Sequence, residues 1–213
     1  MSEWFKELVL KTSDAATRRG FESHSLRQKS AAWITAADFP VNEVKTAMRK
    51  VIIIGCPGSG KTTFSRHLAR ITGLPLYHLD SIWHKLDRTN ISKEDFVRRV
   101  EEIMTGDQWI LDGNYGGTME TRLRRCDTVF LLDYPLETCL QGVRDRIGKP
   151  RPEMPWIEEK MDPEFQAFIE SFPQTQLPHI YALLRRYGDG RQVIVFKSRG
   201  EADVFLKRME NAT

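Results

Sequence analysis

The chain predicts an α/β fold: a doubly wound, five-stranded parallel sheet with helices on both faces. Three observations predict it. Five short, nearly continuous apolar runs recur between residues 51 and 196, as strands buried on both faces require. Amphipathic stretches of helical period separate them, and such alternation builds a parallel sheet through crossover connections. The first run empties into Gly55-Cys56-Pro57-Gly58-Ser59-Gly60-Lys61-Thr62, a glycine-rich turn that opens a helix.

Size and composition suit that fold. A chain of 213 residues, 40% hydrophobic and 29% charged, holds one domain, or one domain and an appendage. The net charge of +3 and the lack of a basic block do not support a nucleic-acid partner. No apolar run approaches the roughly 18 residues of a membrane span. The cysteines Cys56, Cys126 and Cys139 are odd in number and show no C-x-x-C spacing. A disulfide framework or zinc site is therefore not expected, and a reducing, cytoplasmic setting is.

The elements follow in order. Met48-Arg49-Lys50-Val51 reads as a domain start. Residues 1–47 are expected to be a non-native or poorly packed extension from a misplaced start codon. Phe21-Glu22-Ser23 matches what a transfer-RNA T-arm gives when translated. Trp4, Phe5, Leu8 and Val9, at helical spacing, keep a genuine helical appendage as the alternative. From 48 to 213, strands are expected at 51–54, 76–79, 109–111, 128–132 and 192–196. Helices are expected at 62–72, 93–105, 136–147, 164–172, 179–187 and 201–210. Ser92-Lys93-Glu94-Asp95 has the form of a capping box. Gly148-Lys149-Pro150-Arg151-Pro152-Glu153-Met154-Pro155 carries three prolines, which bar a helix and mark a loop or lid over about 144–160.

The candidate chemistry gathers at the carboxyl ends of the strands, where open α/β sheets bind ligands. Residues 55–62 fit G-x-x-x-x-G-K-[ST], the phosphate-binding P-loop pattern. Gly55, Pro57, Gly58, Ser59, Gly60, Lys61, Thr62 and Thr63 are the expected nucleotide contacts. Backbone N–H groups and the helix N-terminus attract phosphate oxygens, Lys61 reaches the β- and γ-phosphates, and the Thr62 hydroxyl holds Mg²⁺. Cys56 sits where N–H dipoles could lower its pKa, so its modification is expected to block nucleotide binding.

Asp80 ends the second strand, where a carboxylate can deprotonate an attacking hydroxyl; the alternative is a helix cap. Trp83 reads as either a pocket wall or core, and His84 as a surface or supporting residue. Asp112 and Asp133 both end apolar strands as a metal-binding carboxylate does. Asp112 is preferred because Gly113-Asn114 permits close approach, leaving Asp133 to cap a helix. Arg144, Arg146 and Arg151 are the candidate lid cations for a migrating phosphoryl group. Arg144 and Arg146, two apart, do not share a helix face.

These residues together resemble P-loop nucleoside/nucleotide-kinase-like proteins, above all those labelled DNA topology modulation proteins. The resemblance spans about 48–209. It rests on Gly55–Thr62, Leu79-Asp80, Trp109-Ile110-Leu111-Asp112-Gly113-Asn114-Tyr115, Leu132-Asp133, residues 148–154 and Val193-Ile194-Val195-Phe196-Lys197-Ser198. It implies a P-loop NTPase three-layer α/β/α fold with strand order 2-3-1-4-5 and a small mobile lid. It also implies ATP and Mg²⁺ as cofactors and a small-molecule phosphoryl acceptor as partner. The Asp-Gly-Phe-Pro-Arg segment of adenylate kinases is matched only by Asp112-Gly113. Its acceptor arginine is missing, and Arg122 is the candidate substitute. A kinase is the first reading; a nucleotide-dependent regulator associated with DNA topology is the alternative.

Overall fold

The computed structural model describes residues 34–35 and 48–212. The expectation about the remainder of residues 1–47 lies outside them. In chain order the elements are β1 (Ile34–Thr35), β2 (Lys50–Gly55), α1 (Lys61–Thr72), β3 (Leu76–His78), α2 (Leu79–Trp83) and α3 (Lys93–Met104). They continue with β4 (Trp109–Asp112), α4 (Gly116–Arg125), β5 (Thr128–Leu132), α5 (Leu136–Arg144), α6 (Pro163–Tyr187), β6 (Gln192–Phe196) and α7 (Arg199–Asn211).

The sheet runs β1-β6-β5-β2-β4-β3, and every pairing is parallel. Counted from Met48, its five main strands take the order 2-3-1-4-5, as the family resemblance implies. The two-residue β1 adds a sixth strand on the β6 edge, with Ile34 opposite Ile194 and Thr35 opposite Val195. Central β2 is buried on both faces: Val51, Ile52, Ile53 and Ile54 are all fully inaccessible. That explains its continuous apolar run, which has no exposed face to alternate toward.

Helices flank the sheet in two groups, making three layers. α1 packs with α7, while α3, α4 and α6 lie side by side. Beneath α1 and α7, Phe64, Phe130, Phe196 and Phe205 form an aromatic cluster with ring centroids 5.1–5.9 Å apart. The predicted capping box forms in part. Ser92 Oγ accepts from the Asp95 N–H at 3.0 Å and donates to the Asp95 carboxylate at 2.9 Å.

Several elements differ from expectation, among them α2, which takes Leu79 and Asp80 into a helix where the end of a strand is expected. The helices expected at 164–172 and 179–187 are one helix, α6, which runs through Pro173 and Pro178. An interior proline removes a hydrogen bond and costs about 3 kcal/mol. Here Phe168, Ile169, Phe172, Ile180 and Leu184 bury one continuous stripe across the break. The Ser171 and Thr175 hydroxyls donate to the carbonyls of Phe168 and Ser171. α4 falls where only a loop is expected, because Gly116-Gly117 disguises its first turn. α5 ends at Arg144 rather than 147, and Gly148 turns the chain with φ 74° into the irregular segment 145–162.

Candidate functional site

All strands are parallel, so their carboxyl ends share one rim, and a cleft of about 1030 Å³ opens there. Its floor is the loop between β2 and α1. Its walls are the ends of β3 and β4 and the segment from Asp145 to Pro163.

Two glycines allow the floor to form. A side chain on Gly55 (φ 150°) would lie 2.5 Å from the Leu132 carbonyl oxygen, and one on Gly58 (φ 81°) 2.0 Å from that of Cys139. Both distances are impossible for a Cβ, so only glycine fits. Gly60 caps α1 with no side-chain hydrogen bond, leaving the first N–H groups of the helix at the cleft floor. Lys61 Nζ donates to the carbonyls of Gly55 (2.9 Å) and Cys56 (3.0 Å), arching over the loop. Asn114 clamps the same loop from β4's side. Its Oδ1 accepts from the Gly55 N–H at 3.0 Å, and its Nδ2 donates to the Gly55 carbonyl at 2.8 Å. Asn114→Ala should therefore cost about 1–3 kcal/mol by removing the partner of the Gly55 N–H, while the Gly55 carbonyl keeps Lys61. Thermal unfolding with and without ATP should show both a lower Tm and a smaller nucleotide-induced shift.

On the acid–base side, Asp80 lines the cleft, with its Oδ1 accepting from the Tyr115 hydroxyl at 2.7 Å. Burial, and then the Asp80 charge, push the Tyr115 phenol well above its ordinary pKa, so it remains a donor. Asp112 is 5% exposed and lines the same cleft. Its Oδ2 accepts from His78 Nδ1–H at 2.9 Å and from Ser65 Oγ at 3.3 Å. These bonds fix the carboxylate in the cleft that Thr62 also lines.

The lid arginines divide. Arg146 and Arg151 line the cleft; Arg144 does not. Arg144 pairs with Glu137 at 2.9 Å on the exposed side of α5, which ends before Arg146. Arg146 Nε and Arg151 Nη2 both lie 3.1 Å from Glu158 Oε2. Arg151 Nη1 is 3.6 Å from Glu153, whose other oxygen is 2.5 Å from Arg66 of α1. Glu153 thus ties the lid to the helix that follows the phosphate loop.

Four sequence expectations are corrected. Arg122 does not reach an acceptor. It is completely buried and spends its donors on the carbonyls of Gly113 (2.8 Å), Asn114 and Tyr115 (3.1 Å) and on Thr118 Oγ1 (3.1 Å). Burial lowers its pKa to about 10, which leaves it cationic. Cys56 is no activated thiol: a hydrogen bond with Cys139, then burial, push its pKa upward, and it is only 6% exposed. Asp133 caps nothing; it accepts from the Tyr181 hydroxyl at 2.5 Å and from Lys197. Gly55 lies behind the loop rather than on the cleft surface.

The alternatives left for Trp83 and His84 also resolve. Trp83 is core, 8% exposed and edge-on to Phe96 at 5.3 Å. His84 is buried but lines the cleft, its Nδ1 2.8 Å from Asn90 Oδ1. The sequence assigns no role to His78, Arg66, Glu153 or Trp156, and to Asn114 only close backbone approach, not the clamp on Gly55. Their partners lie far off in sequence, so no local pattern marks them.

The residues fit a nucleotide with its metal. Ser59 Oγ, 1% exposed in the phosphate loop, has no hydrogen-bond partner among the described residues. A hydroxyl left so in a loop of N–H donors suits a phosphate oxygen. Among the described residues no group of three or more His, Cys, Asp or Glu gathers to hold a metal. A cation here would rest on Thr62, Asp112 and the nucleotide's own phosphates, as Mg²⁺ commonly does.

No family profile matches the chain. It is similar to the adenylate kinase of Thermotoga petrophila, 29% identical over 91 residues, covering 41% of this chain and 40% of the relative. The chain thus spans well under half the length of that protein. It is also similar to the shikimate kinase of Paracidovorax citrulli, 27% identical over 140 residues, covering 54% of this chain and 75% of the relative. Among solved structures, the shikimate kinase of Bacteroides thetaiotaomicron superposes with a TM-score of 0.53. It is 18% identical, over 78% of this chain and 98% of that one, a likeness that speaks for the fold alone. These similarities support a P-loop, nucleotide-kinase-like class of protein at a distant level. Among the described residues no helix is long and apolar enough to cross a membrane.

Proposed function

We propose that the chain is an ATP- and Mg²⁺-dependent phosphotransferase acting on a small-molecule hydroxyl. The observation that carries this reading is the convergence on one cleft of Lys61, Asp80, Asp112, Arg146 and Arg151, drawn from four separate segments. A nucleotide switch needs the loop and a metal carboxylate. It has no use for a second carboxylate and two lid guanidinium groups facing them.

The residues take these roles. The loop from Pro57 to Thr63 and the Lys61 ammonium hold the phosphates. Thr62 and Asp112 would hold Mg²⁺, which when bound offsets charge on the β- and γ-phosphates. Asp80, kept in place by Tyr115, takes the proton from the acceptor hydroxyl. The acceptor oxygen bonds to the γ-phosphorus as its bond to the β–γ bridging oxygen breaks, giving ADP. Arg146 and Arg151 flank the group in transit. The segment 145–162, a wall of the cleft, would keep water from competing as acceptor.

The test is ADP release from ATP and Mg²⁺ with pooled small alcohols, and separately with DNA, using Lys61→Ala as the blank. Acceptor-dependent release supports the proposal. Release stimulated by DNA alone, with no acceptor phosphorylated, overturns it in favour of a regulator linked to DNA topology.

A further inference from the structure

We infer that the acceptor is an uncharged, ring-bearing alcohol, a compound of nucleoside or neutral-sugar chemistry rather than a phosphate or carboxylate. The inference rests on the phosphotransferase reading and deepens it. Adenylate and shikimate are both anions, so an acceptor of this kind separates the chain from the proteins it is similar to.

The charges around the acceptor side carry the argument. Asp80 contributes a negative charge where the acceptor hydroxyl must arrive. Arg122, the guanidinium nearest in sequence to the β4 segment, has its donors committed to main-chain carbonyls and Thr118. Both polar atoms of the Asn114 side chain are committed to Gly55. Arg66, Arg146 and Arg151 share Glu153 and Glu158. Three guanidinium groups against two carboxylates leave a single net positive charge, and the migrating phosphoryl group requires it. An anionic acceptor beside Asp80 would compete with the migrating phosphoryl group for that one charge, and like charges in a partly desolvated cleft repel strongly. The remaining cleft cations lie elsewhere among the described residues: Lys61 and Arg199 at the phosphate loop, Arg88 and Lys160 exposed at the rim.

The walls are aromatic. The Trp156 indole and His84 imidazole meet edge to face, centroids 4.9 Å apart, and both line the cleft with Tyr115. Burial lowers the His84 pKa, so this wall is uncharged near neutral pH. A flat or chair-shaped ring packs on such a wall while its hydroxyl bonds Asp80.

The test measures kcat/KM, with ATP and Mg²⁺, for matched pairs: adenosine and AMP, thymidine and dTMP, glucose and glucose 6-phosphate. At least one uncharged member should be phosphorylated, with kcat/KM at least about 10-fold above that of its anionic partner. Trp156→Ala should raise KM for that compound about 10-fold and leave KM for ATP unchanged. Arg88→Ala should leave its transfer within about twofold. Equal or better use of the anionic member overturns the inference and leaves the phosphotransferase standing. So does loss of transfer in Arg88→Ala, which would place an anion grip at the rim. An unchanged KM in Trp156→Ala overturns the aromatic wall. ATP hydrolysed to water with no member of any pair phosphorylated overturns the phosphotransferase reading itself.

Discussion

Lys61→Ala is expected to lower phosphoryl transfer roughly 10²–10³-fold, the effect of deleting one preorganised charge from a transition-state site. Two losses combine. The ammonium that would meet the β- and γ-phosphates disappears. So do the hydrogen bonds by which Nζ holds the carbonyls of Gly55 and Cys56 beneath it. The stability change should be small, because Lys61 is partly exposed and outside the core. Steady-state ADP release and the far-UV circular dichroism melt separate the two effects. A variant that keeps more than a tenth of the turnover would remove Lys61 from the site.

The second large effect falls on folding. Arg122→Ala removes a completely buried guanidinium and strands the carbonyls of Gly113 and Asn114, whereas that of Tyr115 keeps the Thr118 N–H. Each of the two carbonyls left without a partner costs about 1–3 kcal/mol, and the emptied side-chain volume adds to that, so a loss of at least roughly 3 kcal/mol is expected. For a chain of this size that lowers Tm by roughly 6–12 °C. Lysine should not rescue it, because an ammonium does not span the carbonyls that a planar fork reaches together. A Tm within about 2 °C of the parent would show that the carbonyls find other partners. The segment Arg122 secures delivers Asn114 to the phosphate loop and Tyr115 to Asp80, so any surviving activity should fall with stability.

The fold was legible because its information is local. Strands buried on both faces must be apolar throughout, and β5 and β6 fall on the residues their runs predict. α4 was illegible because Met119 and Leu123 are its only large apolar buried residues and two glycines precede them. α6 read as two helices because proline is a local signal, whereas the stripe that carries the helix through is read only against its neighbours. The site divides the same way. Residues 55–62 lie consecutively and declare themselves. The Arg66–Glu153 pair is 87 residues apart, the Asn114–Gly55 clamp 59 and the His78–Asp112 bond 34. Nothing near either member of these pairs announces the other. Arg122 shows the converse error: placed next to the acceptor motif by sequence, it faces inward, because the turn after β4 has carbonyls to satisfy.

The two-residue β1 carries a consequence for how copies of the chain behave toward one another. Without it, β6 would be the outer strand on that side, five residues long and predominantly β-branched or aromatic, with its outward main-chain groups unpaired. Such a border invites a neighbouring molecule to continue the ladder and grow into aggregates. Ile34 and Thr35 pair beside Ile194 and Val195, so a polypeptide trimmed to begin at Met48 would expose that border and should be the more prone to self-association.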